Sequence, residues 1–153
     1  MLHTNTFRRL AFAAALFLTV GISSSFAAPA DEINTIVKTA FQKDFNKAEL
    51  MASETGKSYT KLTFRMNGSI LYAFYADNGD LLAVTRNIQS TQLPLQLLGD
   101  LKKNYSSYWI SDLFELSSDN QSNYYITLEN ADAKVTLRST GTDWDLFEKT
   151  SKK

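Results

Sequence analysis

Residues 58–88 read SYTKLTFRMNGSILYAFYADNGDLLAVTRNI, and this stretch decides the fold. Three runs rich in aromatic and β-branched residues, 58–66, 69–76 and 81–88, are separated by Asn67-Gly68 and by Asp77-Asn78-Gly79-Asp80. Asn, Asp and Gly tolerate the positive φ that tight hairpins need, so both separators are turn signals. Strands joined by so few residues are antiparallel. A further strand-like run, 48–54, precedes them. Upstream the period changes to that of a helix: Ile33, Ile36, Val37, Ala40, Phe41 and Phe45 fall on one apolar stripe. Asp31 is placed to cap this helix, and Lys43 and Lys47 lie near its end, where the dipole favours cations.

The same order then recurs. A second helix starts around Pro94, with Leu97, Leu98, Leu101 and Tyr105 on its stripe. Ile33, Val37, Phe41 and Phe45 match Leu93, Leu97, Leu101 and Tyr105 at an offset of 60 residues. Strand-like runs follow at 108–116, 123–130, 133–139 and 143–149. Gly79 and Gly141 correspond at an offset of 62, a drift assigned to a longer loop at Ser117–Ser122. The predicted fold is α+β: one domain, 28–153, of two α-β4 repeats spanning 31–88 and 93–149. One antiparallel sheet is expected, with both helices packed on one face.

Residues 1–27 have the three zones of an export signal. Arg8 and Arg9 give the positive start, and Leu10 to Ile22 is an apolar run of thirteen residues, short of the roughly 20 that span a bilayer. Ser25 and Ala27 supply small residues at −3 and −1 of a cut after Ala27. No cysteine follows the run for lipid attachment. The chain 28–153 is therefore expected in the periplasm or outside the cell, with no membrane attachment once the signal is removed. Losing Arg8 and Arg9 leaves 14 basic against 16 acidic residues, a balance that argues against nucleic acid and anionic membrane as partners. With no cysteine, the core alone must hold an exported fold.

The same composition narrows the chemistry. The single histidine, His3, falls in the signal, so the exported chain can assemble no Ser-His-Asp triad. A Ser-x-x-Lys pattern exists only as Thr35-Ile36-Val37-Lys38, on a helix committed to packing. Asp77 with Asp80, Asp143 with Asp145, and Asp31 with Glu32 are the paired carboxylates, and all lie at turns, strand starts or a cap, where backbone chemistry explains them. Counted as a calcium loop from Asp77, position 12 is Ile88 rather than glutamate. No glycine-rich phosphate loop occurs. The expectation is a protein that is not an enzyme and needs no cofactor or metal.

The helix ending Ala40-Phe41-Gln42-Lys43-Asp44-Phe45, the Phe74-Tyr75-Ala76-Asp77-Asn78-Gly79 turn, the Leu93-Pro94 helix start with Tyr105 at its end, and Tyr124-Tyr125-Ile126-Thr127-Leu128 together resemble the PepSY-like, β-lactamase-inhibitor-protein-like (BLIP-like) repeat family of small exported bacterial proteins. The resemblance covers essentially all of 28–153. It implies a binding or inhibitory role toward another protein.

Alternation along the strands places Tyr59, Lys61, Arg65, Tyr75, Arg86, Trp109, Tyr125, Lys134, Arg138 and Phe147 on the helix-free face. Tyr, Trp and Arg are the residue types enriched at binding hot spots. The expected site is centred on Trp109, Tyr125 and Tyr75, with Arg138 at its rim and an envelope or secreted protein as partner. The alternative is a small-molecule, peptide-binding or metal-responsive accessory module. Oligomeric state is not encoded in these patterns.

Overall fold

In a computed structural model of the chain, residues 33–152 are described. Helix α1, Thr35–Asp44, is followed by strands β1 (Glu49–Thr55), β2 (Thr60–Met66), β3 (Ser69–Tyr75) and β4 (Leu81–Asn87). A 3₁₀ turn, Ser90–Gln92, leads into helix α2, Leu95–Asn104, and then β5 (Trp109–Ser118), β6 (Gln121–Glu129), β7 (Ala133–Ser139) and β8 (Asp145–Ser151). The strands form one eight-stranded sheet in sequence order, and β4 through β8 pair antiparallel. The α+β class is thus as expected, with element ends shifted by a few residues. The expected signal at 1–27 and the Asp31 cap lie outside the described residues. The helix is capped by Asn34 instead, whose Oδ1 accepts from the Ile36 N–H at 2.8 Å.

Contacts divide the chain into two compact units. The first comprises the described residues up to Phe64 with Ala73–Leu82, and the second Arg65–Tyr72 with the residues from Ala83 onward. In the first unit, α1 turns Val37 and Phe41 inward. Phe41, Phe45 and Phe64 form a ring cluster, with centroids 5.6, 5.2 and 4.7 Å apart. These separations suit tilted and edge-on aromatic packing. At the end of α1 the Asp44 carboxylate accepts the Tyr75 hydroxyl at 2.9 Å.

The turn after β3 docks onto the same helix. Gly79 sits at φ +84°, and a Cβ there would lie 3.0 Å from Ile36 Cγ2. Asp80 and Asn78 bond each other within the turn, and the Asn34 amide donates to the Asp77 carbonyl at 3.3 Å. Gly79→Ala meets both the backbone penalty and the clash, and should lower stability by about 1–2 kcal/mol, read from urea denaturation.

In the second unit, α2 places Leu97 and Leu101 against Leu113, Ile126, Leu128, Val135 and Leu137. Tyr105, Tyr108, Tyr124 and Trp144 close the margins, and the Trp144 indole N–H donates to the Leu97 carbonyl at 3.0 Å. The stretch 117–122, expected as a longer loop, is a hairpin: Ser118 pairs with Gln121, and Asp119 and Asn120 alone make the turn at φ 53° and 60°. Two successive positive φ values are those of a type I′ turn, which matches strand twist. The flanking Ser117, Ser118, Gln121 and Ser122 are polar residues within the paired strands, so no apolar alternation marks them as strand.

Candidate functional site: the sheet face turned away from the second helix

Because α2 takes one side of the sheet in the second unit, strand alternation sends the intervening residues to the other side. Phe114 stands opposite Tyr125 on β5 and β6, and Tyr125 opposite Arg138 on β6 and β7. The Phe114 and Tyr125 rings stack at 5.3 Å and 14°. Phe147 meets Tyr125 edge-on at 5.8 Å, and the Arg138 guanidinium lies 5.9 Å over the Phe147 ring. A register shift makes this possible. Leu137 pairs with Leu146 and Thr136 with Glu148, so Phe147 is the extra residue of a β-bulge.

At one end of this face Trp109 is 54% exposed. The Lys152 ammonium sits 5.0 Å over its ring, bonds the Glu129 carboxylate at 2.6 Å and donates to the Asn130 carbonyl at 3.1 Å. Lys134 approaches Glu129 at 4.0 Å. Hydrogen bonds from Lys152 and Ser111 hold the Glu129 carboxyl below its ordinary range. The indole is therefore braced in place while remaining open to solvent, which lowers the entropy that a partner must remove.

The four residues expected to form the site separate into three roles. Trp109 and Arg138 lie on the face as expected. Tyr125 lies on it too but is only 2% exposed, covered by its aromatic neighbours. Burial pushes its phenol up, against the opposing influence of Arg138. Tyr125 is thus the floor of the cluster and not a projecting contact.

Tyr75 is a correction of a different kind. It is fully buried, its hydroxyl reaches α1, and it belongs to the first unit. Burial and the Asp44 carboxylate raise its phenol far above the ordinary value. The other side of β3 carries Phe74, which is also buried and meets Tyr59 edge-on at 5.6 Å. Since both sides of β3 are covered near its end, alternation of apolar residues did not reveal which one faces the helix. Arg86 also departs from its expected side. It pairs with Glu115 at 2.8 Å, in line with Leu113 on the α2 side of β5.

Phe114, Lys152 and Glu129 were missed. Phe114 is hidden by a β-bulge: Ile110 pairs with Leu128 and Asp112 with Thr127, leaving Ser111 extra, so unbroken alternation from Trp109 would put Phe114 on the α2 side. Lys152 left no signal, lying past the expected end of the last strand at 149. Among the described residues, no group of three or more His, Cys, Asp or Glu side chains converges in a way that would hold a metal. No helix among them is long and apolar enough to cross a membrane.

No family profile and no curated protein matches the chain. Solved structures do. A DUF2874 family protein from Bacteroides uniformis superposes with TM-score 0.65 at 18% identity, over 81% of this chain and 89% of that one. A BLIP-like protein from Bacteroides fragilis gives 0.64 at 17%, over 83% and 89%. A protein from Bacteroides eggerthii, provisionally called periplasmic, gives 0.64 at 13%, over 76% and 87%. These structures support the BLIP-like part of the resemblance and add nothing to the PepSY-like part. At such identities the likeness is one of architecture: the chain has a BLIP-like fold.

Proposed function

We propose that this chain is an exported, non-enzymatic domain, built as two α-β4 repeats, that binds another envelope or secreted protein through the sheet face turned away from α2. The observation that carries the reading is the cluster of Phe114, Tyr125, Phe147 and Arg138 beside the braced Trp109, held on strands with no helix of its own unit over it. Large rigid side chains around a desolvated centre are the arrangement from which binding hot spots are made. The export-like N-terminus, the BLIP-like fold and the provisionally periplasmic neighbour support the setting. The absence of histidine and cysteine from 28–153 supports the non-enzymatic part.

The test is affinity capture from envelope extract with the chain 28–153 as bait. Trp109→Ala and Phe147→Ala should each weaken capture of the retained protein by roughly 2 kcal/mol or more. Lys103→Ala, on the solvent side of α2, should leave it unchanged. Equal loss for all three variants, or none for any, would contradict the assignment.

A further inference from the structure

The dipeptide Asn-Gly occurs twice, at Asn67-Gly68 and at Asn78-Gly79, and the fold treats the two differently. Both asparagines are exposed, so exposure does not separate them. At the second, the Asn78 amide donates to the Asp80 carboxylate at 2.9 Å, and its Oδ1 accepts the Asp80 N–H at 3.1 Å. The Gly79 N–H donates to the Ala76 carbonyl at 2.9 Å, and Gly79 itself is packed against Ile36 and Ala40 of α1.

The first site has none of these restraints. Asn67 and Gly68 make the turn between β2 and β3, at φ 51° and 79°. Residues 67–69 are all exposed, and a Cβ built on Gly68 would meet open space. Among the described residues, neither the Asn67 side chain nor the Gly68 N–H makes a hydrogen bond. A backbone nitrogen beside a bare glycine Cα, with its proton uncommitted, is open to close approach by the preceding side chain.

We propose that Asn67 is a site of spontaneous covalent modification, converting to aspartate and isoaspartate while Asn78 stays intact. Hydroxide removes the Gly68 amide proton, and the nitrogen attacks the Asn67 Cγ. The bond from that nitrogen to Cγ forms, the Cγ–Nδ2 bond breaks, and the carboxamide nitrogen leaves as ammonia with a proton from water. Water then opens the cyclic imide at either carbonyl, which yields aspartate or isoaspartate. Ring closure needs the turn to open, and an exposed two-residue tip opens locally at little cost. At Asn78 the same motion must break the bonds to Asp80 and Ala76 and lift the turn from α1. Isoaspartate carries the main chain through its side-chain carbon, which adds a backbone atom to a turn whose two positive φ values match strand twist. The modified hairpin is therefore loosened and gains a negative charge.

The test incubates the folded chain 28–153 in mildly alkaline buffer and follows both sites by mass spectrometry of chymotryptic peptides, since Tyr72 and Phe74 lie between them. Labelling by an isoaspartyl methyltransferase identifies the isoaspartyl product. Asn67 should convert roughly tenfold or more faster than Asn78, a barrier difference of about 1.4 kcal/mol. In concentrated urea, where the bonds to Asp80 and Ala76 and the contact with α1 are gone, the two rates should converge. Equal conversion of the two sites in the folded chain, or a difference that persists in urea, would overturn the proposal. An intact Asn67 in the folded chain, after a time in which the urea-unfolded chain has converted, would overturn it too.

Discussion

Replacing Phe41 by alanine is expected to cost about 3–5 kcal/mol of stability. The residue is 4% exposed, and its ring touches both Phe45 and Phe64, so its removal opens a cavity between helix and sheet that neither neighbour can fill. Phe45 and Phe64 themselves are in contact, which limits how far the cluster can collapse. Denaturant unfolding followed by circular dichroism gives the value. Because Phe41 belongs to the first unit, a biphasic transition should show the loss in the phase of α1, with the other phase little changed. A cost below about 1 kcal/mol would mean that α1 does not pack as described.

Tyr125→Ala should be comparably damaging, at about 3–5 kcal/mol, although the residue lies on the proposed binding face. Its ring is stacked on Phe114, edged by Phe147 and covered by both, so truncation leaves those rings without a floor. Tyr125→Phe keeps the rings and loses only the polar link to Arg138, so it should cost about 1 kcal/mol. The pair of variants separates packing from polarity. Trp109→Ala, at an exposed position, should change stability by much less than Tyr125→Ala. Equal stability for Tyr125→Ala and the parent chain would show that the aromatic cluster is not formed.

Most of the fold was legible because its signals are local. Asn67-Gly68 and Asp77–Asp80 mark hairpins by their φ demands, and Asn67, Gly68 and Gly79 do adopt positive φ. The stripes of Val37 with Phe41 and of Leu97 with Leu101 mark the buried sides of the helices. Asp119-Asn120 makes an equally tight turn without glycine, and it read as part of a loop because serine surrounds it.

The site was less legible because its geometry depends on irregularities that leave no pattern. The bulges at Ser111 and Phe147 change which side a residue takes, and one extra residue reverses the parity of everything beyond it. Tyr125 was assigned to the correct side of β6, yet its burial comes from Phe114 and Phe147 on other strands, which alternation along one strand cannot report. Tyr75 failed for the opposite reason: an aromatic residue carrying a hydroxyl was placed toward solvent, while its hydroxyl is satisfied by Asp44 within the packed side. Lys152, which braces Trp109, lies near the end of the chain, beyond any recognisable strand signal.

Site-specific photo-crosslinking in exporting cells tests the central claim most directly. A benzoylphenylalanine placed at Phe147 on the aromatic face, and in a separate chain at Lys103 on α2, samples the two sides of the second unit. The account predicts a discrete crosslinked protein from position 147, reduced by Trp109→Ala, and none from position 103. The same crosslinked protein from position 103 but not from 147, or a product at 147 that Trp109→Ala leaves unchanged, would contradict it.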